Sequence, residues 1–226
     1  MAKLGHKAKV LIGFIDSEDV AEKLVTVGTP QNISSLLSGM AKLGHKAKIL
    51  ASFLDRQVVA EKLARKGTPE TISFTIWAMA KMGHKTHLLI GLIDSRCAAE
   101  KMVRKGTPQN TSSTIWAMAK LNFKAKDLPA LIDSSDVVEK LLRTGEPWHI
   151  ANTIWAMQTL GHKTNVLANM IDNEYVAERM VKRGTRRDIS VILEALKSLG
   201  HKAEVFSKAV DQAWRRAGWN NPDADN

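Results

Sequence analysis

Gly106-Thr107-Pro108-Gln109-Asn110-Thr111-Ser112-Ser113-Thr114-Ile115-Trp116-Ala117-Met118-Ala119-Lys120 is the stretch that decides the fold. In the same register 39 residues earlier stands Gly67-Thr68-Pro69-Glu70-Thr71-Ile72-Ser73-Phe74-Thr75-Ile76-Trp77-Ala78-Met79-Ala80-Lys81. Gly28, Gly67, Gly106, Gly145 and Gly184 keep that spacing, as do Asp16, Asp55, Asp94, Asp133, Asp172 and Asp211. A fixed period of this length belongs to arrays in which one supersecondary unit stacks on the next.

Each unit opens as a helix. Thr29-Pro30, Thr68-Pro69 and Thr107-Pro108 set an N-cap hydroxyl before a proline at the first helical position. Glu146-Pro147 and Thr185-Arg186 are weaker forms of the same start. The leading helix is expected to run about fourteen residues and to stop at the glycine of a recurring Gly-His pair, where a left-handed residue ends it. Asn122-Phe123 replaces that pair in one copy. Ile72, Ile76, Met79 and Met82 follow the rhythm of one buried face. The second half of a unit, for example Lys46 to Leu54, Asp55, then Val58 to Lys66, reads equally as one long helix or as two split at the aspartate. Both versions remain open, and no segment has a strand period.

The reading is all-α: an α-solenoid, a right-handed superhelix of stacked antiparallel helical-hairpin repeats. A partial repeat covers 1–28, and units begin near 29, 68, 107, 146 and 185 in a single array over 1–216. Residues 217–226, rich in Asn and Asp, are expected to form a frayed tail. Met1 to Lys9 repeats the pattern of Met40 to Lys48, so the expectation is either a piece of a longer protein or a protein partner on the open N-terminal face.

Composition narrows the function classes. Of 226 residues, 25% are charged and 44% apolar, with mean hydropathy -0.17, and no apolar run reaches the length of a membrane span. Cys97 is the one cysteine, so the fold needs no disulfide and suits a reducing, intracellular compartment. Lys+Arg 33 against Asp+Glu 23 gives +10, a balance that suits a polyanionic partner. Nearly every polar feature occurs five or six times, whereas catalysis needs a unique constellation. No phosphate loop, nucleophile elbow or metal motif stands out, so neither an enzyme nor a cofactor nor a small-molecule substrate is expected.

The tryptophan-bearing segments, Thr75 to Lys81, Thr114 to Lys120 and Ala151 to Met157, carry a family resemblance. With the preceding Gly-Thr-Pro-Gln-Asn they resemble the octotricopeptide repeats and the related helical repeats found upstream of RAP domains. Ser38 and Glu194 replace the tryptophan in the outer copies, and Gly39 replaces the alanine after it. The resemblance implies an α-solenoid that binds RNA in a mitochondrion or chloroplast.

A helical wheel at about 100° per residue places Ile33, Leu37 and Met40 at the buried centre of the leading helix. Opposite them lie Gln31, Ser35 and Lys42; the same stripe is Glu70, Phe74 and Lys81, then Gln109, Ser113 and Lys120. Later copies place Trp148, Asn152 and Thr159, then Arg187, Val191 and Ser198 there. The helix repeats while this stripe changes, as in a modular reader with one or two side chains per base. Gln31, Ser35, Glu70, Phe74, Gln109, Ser113, Trp148, Asn152 and Arg187 are therefore the base-contact candidates. Lys42, Lys81 and Lys120 on the stripe, with Lys46, Lys85, Lys124, Lys163 and Lys202 just past the turn, are candidates for phosphate contact.

Blander roles are expected elsewhere. The recurring histidines should cap helix ends or pack between repeats rather than bind metal, and the Asp16 series should accept turn or N-cap hydrogen bonds. The Glu22-Lys23 type pairs should form a solvated or inter-repeat ion-pair face. Trp77, Trp116 and Trp155 should wedge between units. Two functions compete on these grounds. One is binding of single-stranded RNA or ribosomal RNA, in organellar RNA metabolism or in an organellar ribonucleoprotein. The alternative is a protein-binding scaffold, as a structural subunit or a bacterial effector, with no RNA readout.

Overall fold

A computed structural model describes residues 10–216, whose regular structure is all helical, with no strand among them. The expected frayed tail and the first nine residues lie outside the described part. Chain contacts divide the molecule into two compact units, Met1–Leu128 and Pro129–Asn226. The first unit holds α1 (residues 10–15), α2 (Glu18–Val27), α3 (Pro30–Lys42), α4 (Lys48–Leu54), α5 (Gln57–Lys66), α6 (Pro69–Met82), α7 (His87–Ile93), α8 (Arg96–Lys105) and α9 (Pro108–Lys120). α10 (Asp127–Ile132) spans the division. In the second unit follow α11 (Ser135–Thr144), α12 (Pro147–Thr159), α13 (Asn165–Ile171), α14 (Glu174–Arg183), α15 (Arg186–Ser198) and α16 (Glu204–Arg216).

The second half of a repeat is thus two helices, a short one and a third one, broken at the aspartate. Asp55 ends α4 as its C-cap, and Arg56 in extended conformation starts α5. The final copy differs: α16 runs unbroken through Asp211, with Phe206, Val210 and Trp214 buried along one face.

The leading helices form one layer in each unit. α3 packs against α6 and α6 against α9; in the second unit α12 packs against α15. The other layer alternates third and short helices, α2 on α4, α5 on α7, α11 on α13 and α14 on α16. Ile33, Leu37 and Met40 are buried as the wheel requires, and so are Ile72, Ile76 and Met79, whereas Met82 in the last turn of α6 is only half-buried. This is all-α packing in which each leading helix lies on its equivalent one repeat away and each third helix on the next repeat's second half. Trp77, Trp116 and Trp155 are half-buried.

The helix ends follow the sequence closely. Thr29, Thr68, Thr107 and Thr185 each accept the backbone N–H three residues on, and Asn32, Asn110 and Asp188 close reciprocal capping boxes. At the other end Gly44, Gly83, Gly161 and Gly200 take φ between 68° and 78°. Asn122 does the same at φ 52°, which explains how that copy dispenses with glycine.

The glycine before Thr-Pro obeys a different requirement. Gly106 has φ -76°, open to any residue, but a Cβ there would stand 2.4 Å from the Met102 carbonyl and 3.3 Å from Pro69 Cβ of the preceding repeat. Gly184 meets Met180 O and Pro147 Cβ in the same way, at 2.7 and 3.2 Å. These glycines let successive corners stack.

Candidate nucleic-acid interface

The interface is built on polar contacts that tie each repeat to its neighbour. A seven-residue helix leaves its first N–H groups without intrahelical partners. Here the preceding repeat supplies the acceptor. Asp16 Oδ1 accepts from Ile49 N at 3.1 Å and Leu50 N at 2.9 Å, and Asp55 Oδ1 from Leu88 N at 2.9 Å. Asp94 accepts from Lys126 N and Leu128 N, Asp133 from Leu167 N, and Asp172 from Phe206 N. The aspartates are N-caps, as expected of acceptors, but they cap the helix one repeat further on. The carboxylate also complements the positive end of that helix.

Cations act in the opposite direction. Lys62 Nζ donates to Val25 O and Thr26 O, at the C-terminal end of α2. Lys101 Nζ donates to Gly67 O at 2.6 Å and Arg65 O at 3.3 Å, closing α5, and Arg179 reaches Arg143 O at the end of α11. The expected ion-pair face is corrected on this point. Glu22 does pair across repeats, but with Arg56 at 3.6 Å, and Glu100 pairs with Arg96 at 2.8 Å. The lysine of the Glu-Lys motif is a C-cap for its neighbour because orphan carbonyls there attract a cation.

The histidines also join repeats. His45 Nε2 lies 3.3 Å from Asp16 Oδ2, His201 Nε2 lies 3.6 Å from Asp172 Oδ2, and His84 Nε2 donates to Lys46 O. No group of three or more His, Cys, Asp or Glu side chains that could hold a metal ion occurs among the described residues. His149 is buried in the fourth copy, and its Nδ1 accepts from Glu146 N at 2.8 Å. Desolvation pushes its pKa below 6.5, opposed in part by the Glu146 charge.

With the scaffold held this way, the outward stripe divides. Gln31, Ser35, Glu70, Gln109 and Arg187 are exposed, and Gln31 Nε2 donates to Ser35 Oγ at 3.3 Å. Trp148 is 38% exposed, with its ring centroid 3.8 Å from that of His149. Phe74, Ser113, Asn152 and Val191 are half-buried. The phosphate candidates Lys42, Lys81, Lys120, Lys46, Lys85, Lys124, Lys163 and Lys202 are all exposed.

A second set of cations escaped the sequence reading. Arg65 and Lys66 close α5, Arg104 and Lys105 close α8, and all four are exposed. Their signal was present as paired basic residues just before two of the Gly-Thr-Pro corners. In the second unit a groove of about 760 Å³ lies between α14 and α16. Glu174, Glu178, Lys182 and Lys208 line it with both signs of charge, which defines no ligand class. No helix among the described residues is long and apolar enough to cross a membrane.

No protein-family model and no curated protein matches the chain. The octotricopeptide resemblance therefore rests on the motif residues of the leading helices.

Proposed function

We propose that this protein binds single-stranded RNA, with the exposed face of each leading helix contacting bases and exposed basic side chains flanking that face contacting phosphates. One observation carries the reading. In the first unit, neighbouring leading helices present Gln31, Glu70 and Gln109 at one repeated, exposed position while Met40, Met79 and Met118 hold one buried position on the opposite face. Amide and carboxylate side chains at such a position suit hydrogen bonding to base edges, and an exposed tryptophan suits stacking. The resemblance directs this activity to organellar RNA metabolism or an organellar ribonucleoprotein.

The test is retention of a random pool of short single-stranded RNAs at two salt concentrations. Binding that weakens as salt rises, with base preferences that change on Gln31→Ala and Gln109→Ala, is the expected result. No retention at low salt would end the reading.

A protein partner at the N-terminal end is the second reading, favoured by one specific contrast. Leu11 and Phe14 are 58% and 65% exposed, whereas their equivalents Leu50 and Phe53 are 0% and 2% exposed. Serine at both positions, if it released a protein partner without altering RNA retention, would favour it.

A further inference from the structure

Resting on the RNA reading above, we infer that the phosphates of the strand run along the Gly-Thr-Pro corners of the first unit, on Arg65, Lys66, Arg104 and Lys105. This places the backbone at the N-terminal edge of the leading-helix layer, the end opposite the Lys46 series.

The corners form a continuous column. Gly106 approaches Pro69 so closely that a Cβ would sit 3.3 Å from the proline Cβ, and Lys101 bridges to Arg65 O and Gly67 O. Arg65 and Lys66 precede one corner and Arg104 and Lys105 the adjoining one, two exposed cations at each. Three residues in extended or first-turn conformation separate Lys66 from Glu70, and the same three separate Lys105 from Gln109. The cations thus adjoin the N-terminal half of the reading stripe.

Electrostatics favours this edge over the other. At the corner, Lys101 answers two of the exposed carbonyls, Glu61 accepts from Gln57, and Glu100 is held by Arg96. Glu70 is the acid on the adjoining stripe, in one of the two corners. At the opposite edge each short-helix start carries the aspartate of the preceding repeat. Asp16 lies on Ile49 N, Leu50 N and His45, beside Lys46 and Lys48, and Asp55 lies on Leu88 N beside Lys85. A phosphate at that edge meets a carboxylate of its own sign. In the second unit the corner is weaker, since Arg183 Nη2 grips both Glu146 oxygens at 2.7 and 2.8 Å.

Two charge-matched triple variants separate the edges: Arg65→Gln, Lys66→Gln, Lys105→Gln at the corner, and Lys46→Gln, Lys85→Gln, Lys124→Gln at the turn. Each removes three exposed cations, and an unchanged thermal melt shows that each folds. Affinity for single-stranded RNA is measured across a salt series. The corner variant is expected to lose about tenfold or more in affinity and to flatten the log-log salt slope by roughly 0.7 for each phosphate contact removed. The turn variant should change neither by as much. An equal or larger loss in the turn variant overturns the corner track while leaving RNA binding intact. A wild-type protein that retains no RNA overturns both. Displacement of the RNA by poly-glutamate at matched charge overturns the corner as a phosphate track and assigns it to an acidic protein segment.

Discussion

Asp55 closes one helix and opens another: it is the C-cap of α4, and its Oδ1 accepts the Leu88 N–H at 2.9 Å to start α7 in the next repeat. Leu89 N reaches the same oxygen at 3.4 Å. One side chain therefore sets both the break within a repeat and the stacking between two.

Removing that acceptor should act on the neighbour. Asp55→Ala is expected to cost about 1 kcal/mol, the usual value of an N-cap, and Asp55→Asn less. Hydrogen exchange should quicken at the Leu88 and Leu89 amides while the α6 core amides keep their protection. Equal loss of protection throughout both helices would refute a local capping role.

Lys101 should tolerate arginine and reject a neutral residue. Arg179 already performs the equivalent contact, with Arg143 O, so Lys101→Arg is expected to be near neutral in urea denaturation. Lys101→Met leaves Arg65 O and Gly67 O without their donor and should lower stability by about 1–2 kcal/mol.

The two glycine series should respond in opposite ways. Gly83, at φ 78° with open space around its would-be Cβ, should accept asparagine at little cost, as Asn122 does naturally. Gly106→Asn and Gly106→Ala should both destabilise, by roughly 1–3 kcal/mol, because any Cβ meets the Met102 carbonyl and Pro69. Thermal melts of the three variants decide the point.

His149 gives stability a pH dependence. Its folded pKa lies below the unfolded value near 6.5, chiefly because burial disfavours the charged ring. Its contribution is therefore complete above about pH 6.5 and falls away as pH drops through the lowered folded value, since the unfolded chain takes up the proton first. Protonation also removes the Nδ1 lone pair that caps Glu146 N. His149→Asn, which restores the residue found at Asn32 and Asn110, should lose less melting temperature between pH 7.5 and pH 5 than the wild type. An equal loss in both would place the pH dependence elsewhere.

The periodic part of this architecture was readable from residues alone. Thr-Pro starts, the left-handed Gly of Gly-His and the buried Ile33, Leu37 and Met40 all follow from local rules, because each acts on its own helix. What local rules left undecided was the break at Asp55. Its carboxylate serves a helix some 33 residues ahead, and no wheel or propensity reaches that far. The same reason hid Lys62 and Lys101, whose carbonyl partners belong to the repeat behind. Gly106 stood out in the sequence only by its period; its role is a close approach that only the stacked corners display. Of the candidate interface, the exposed Gln31 stripe and the lysines were foreseen. Arg65 and Lys66 were not, since basic residues in a last turn already have an ordinary explanation in the helix dipole.

The exchange of caps also gives assembly a direction in time. During synthesis, the aspartate of a finished repeat is already waiting when the next short helix leaves the ribosome, so that helix can nucleate at once on a ready acceptor. The third helix of the same finished repeat stays open at its end until the following Lys or Arg emerges and reaches back. Each repeat is thus started by its elder neighbour and sealed by its younger one, and growth proceeds from the first residue to the last with a single unsealed helix end at the moving front.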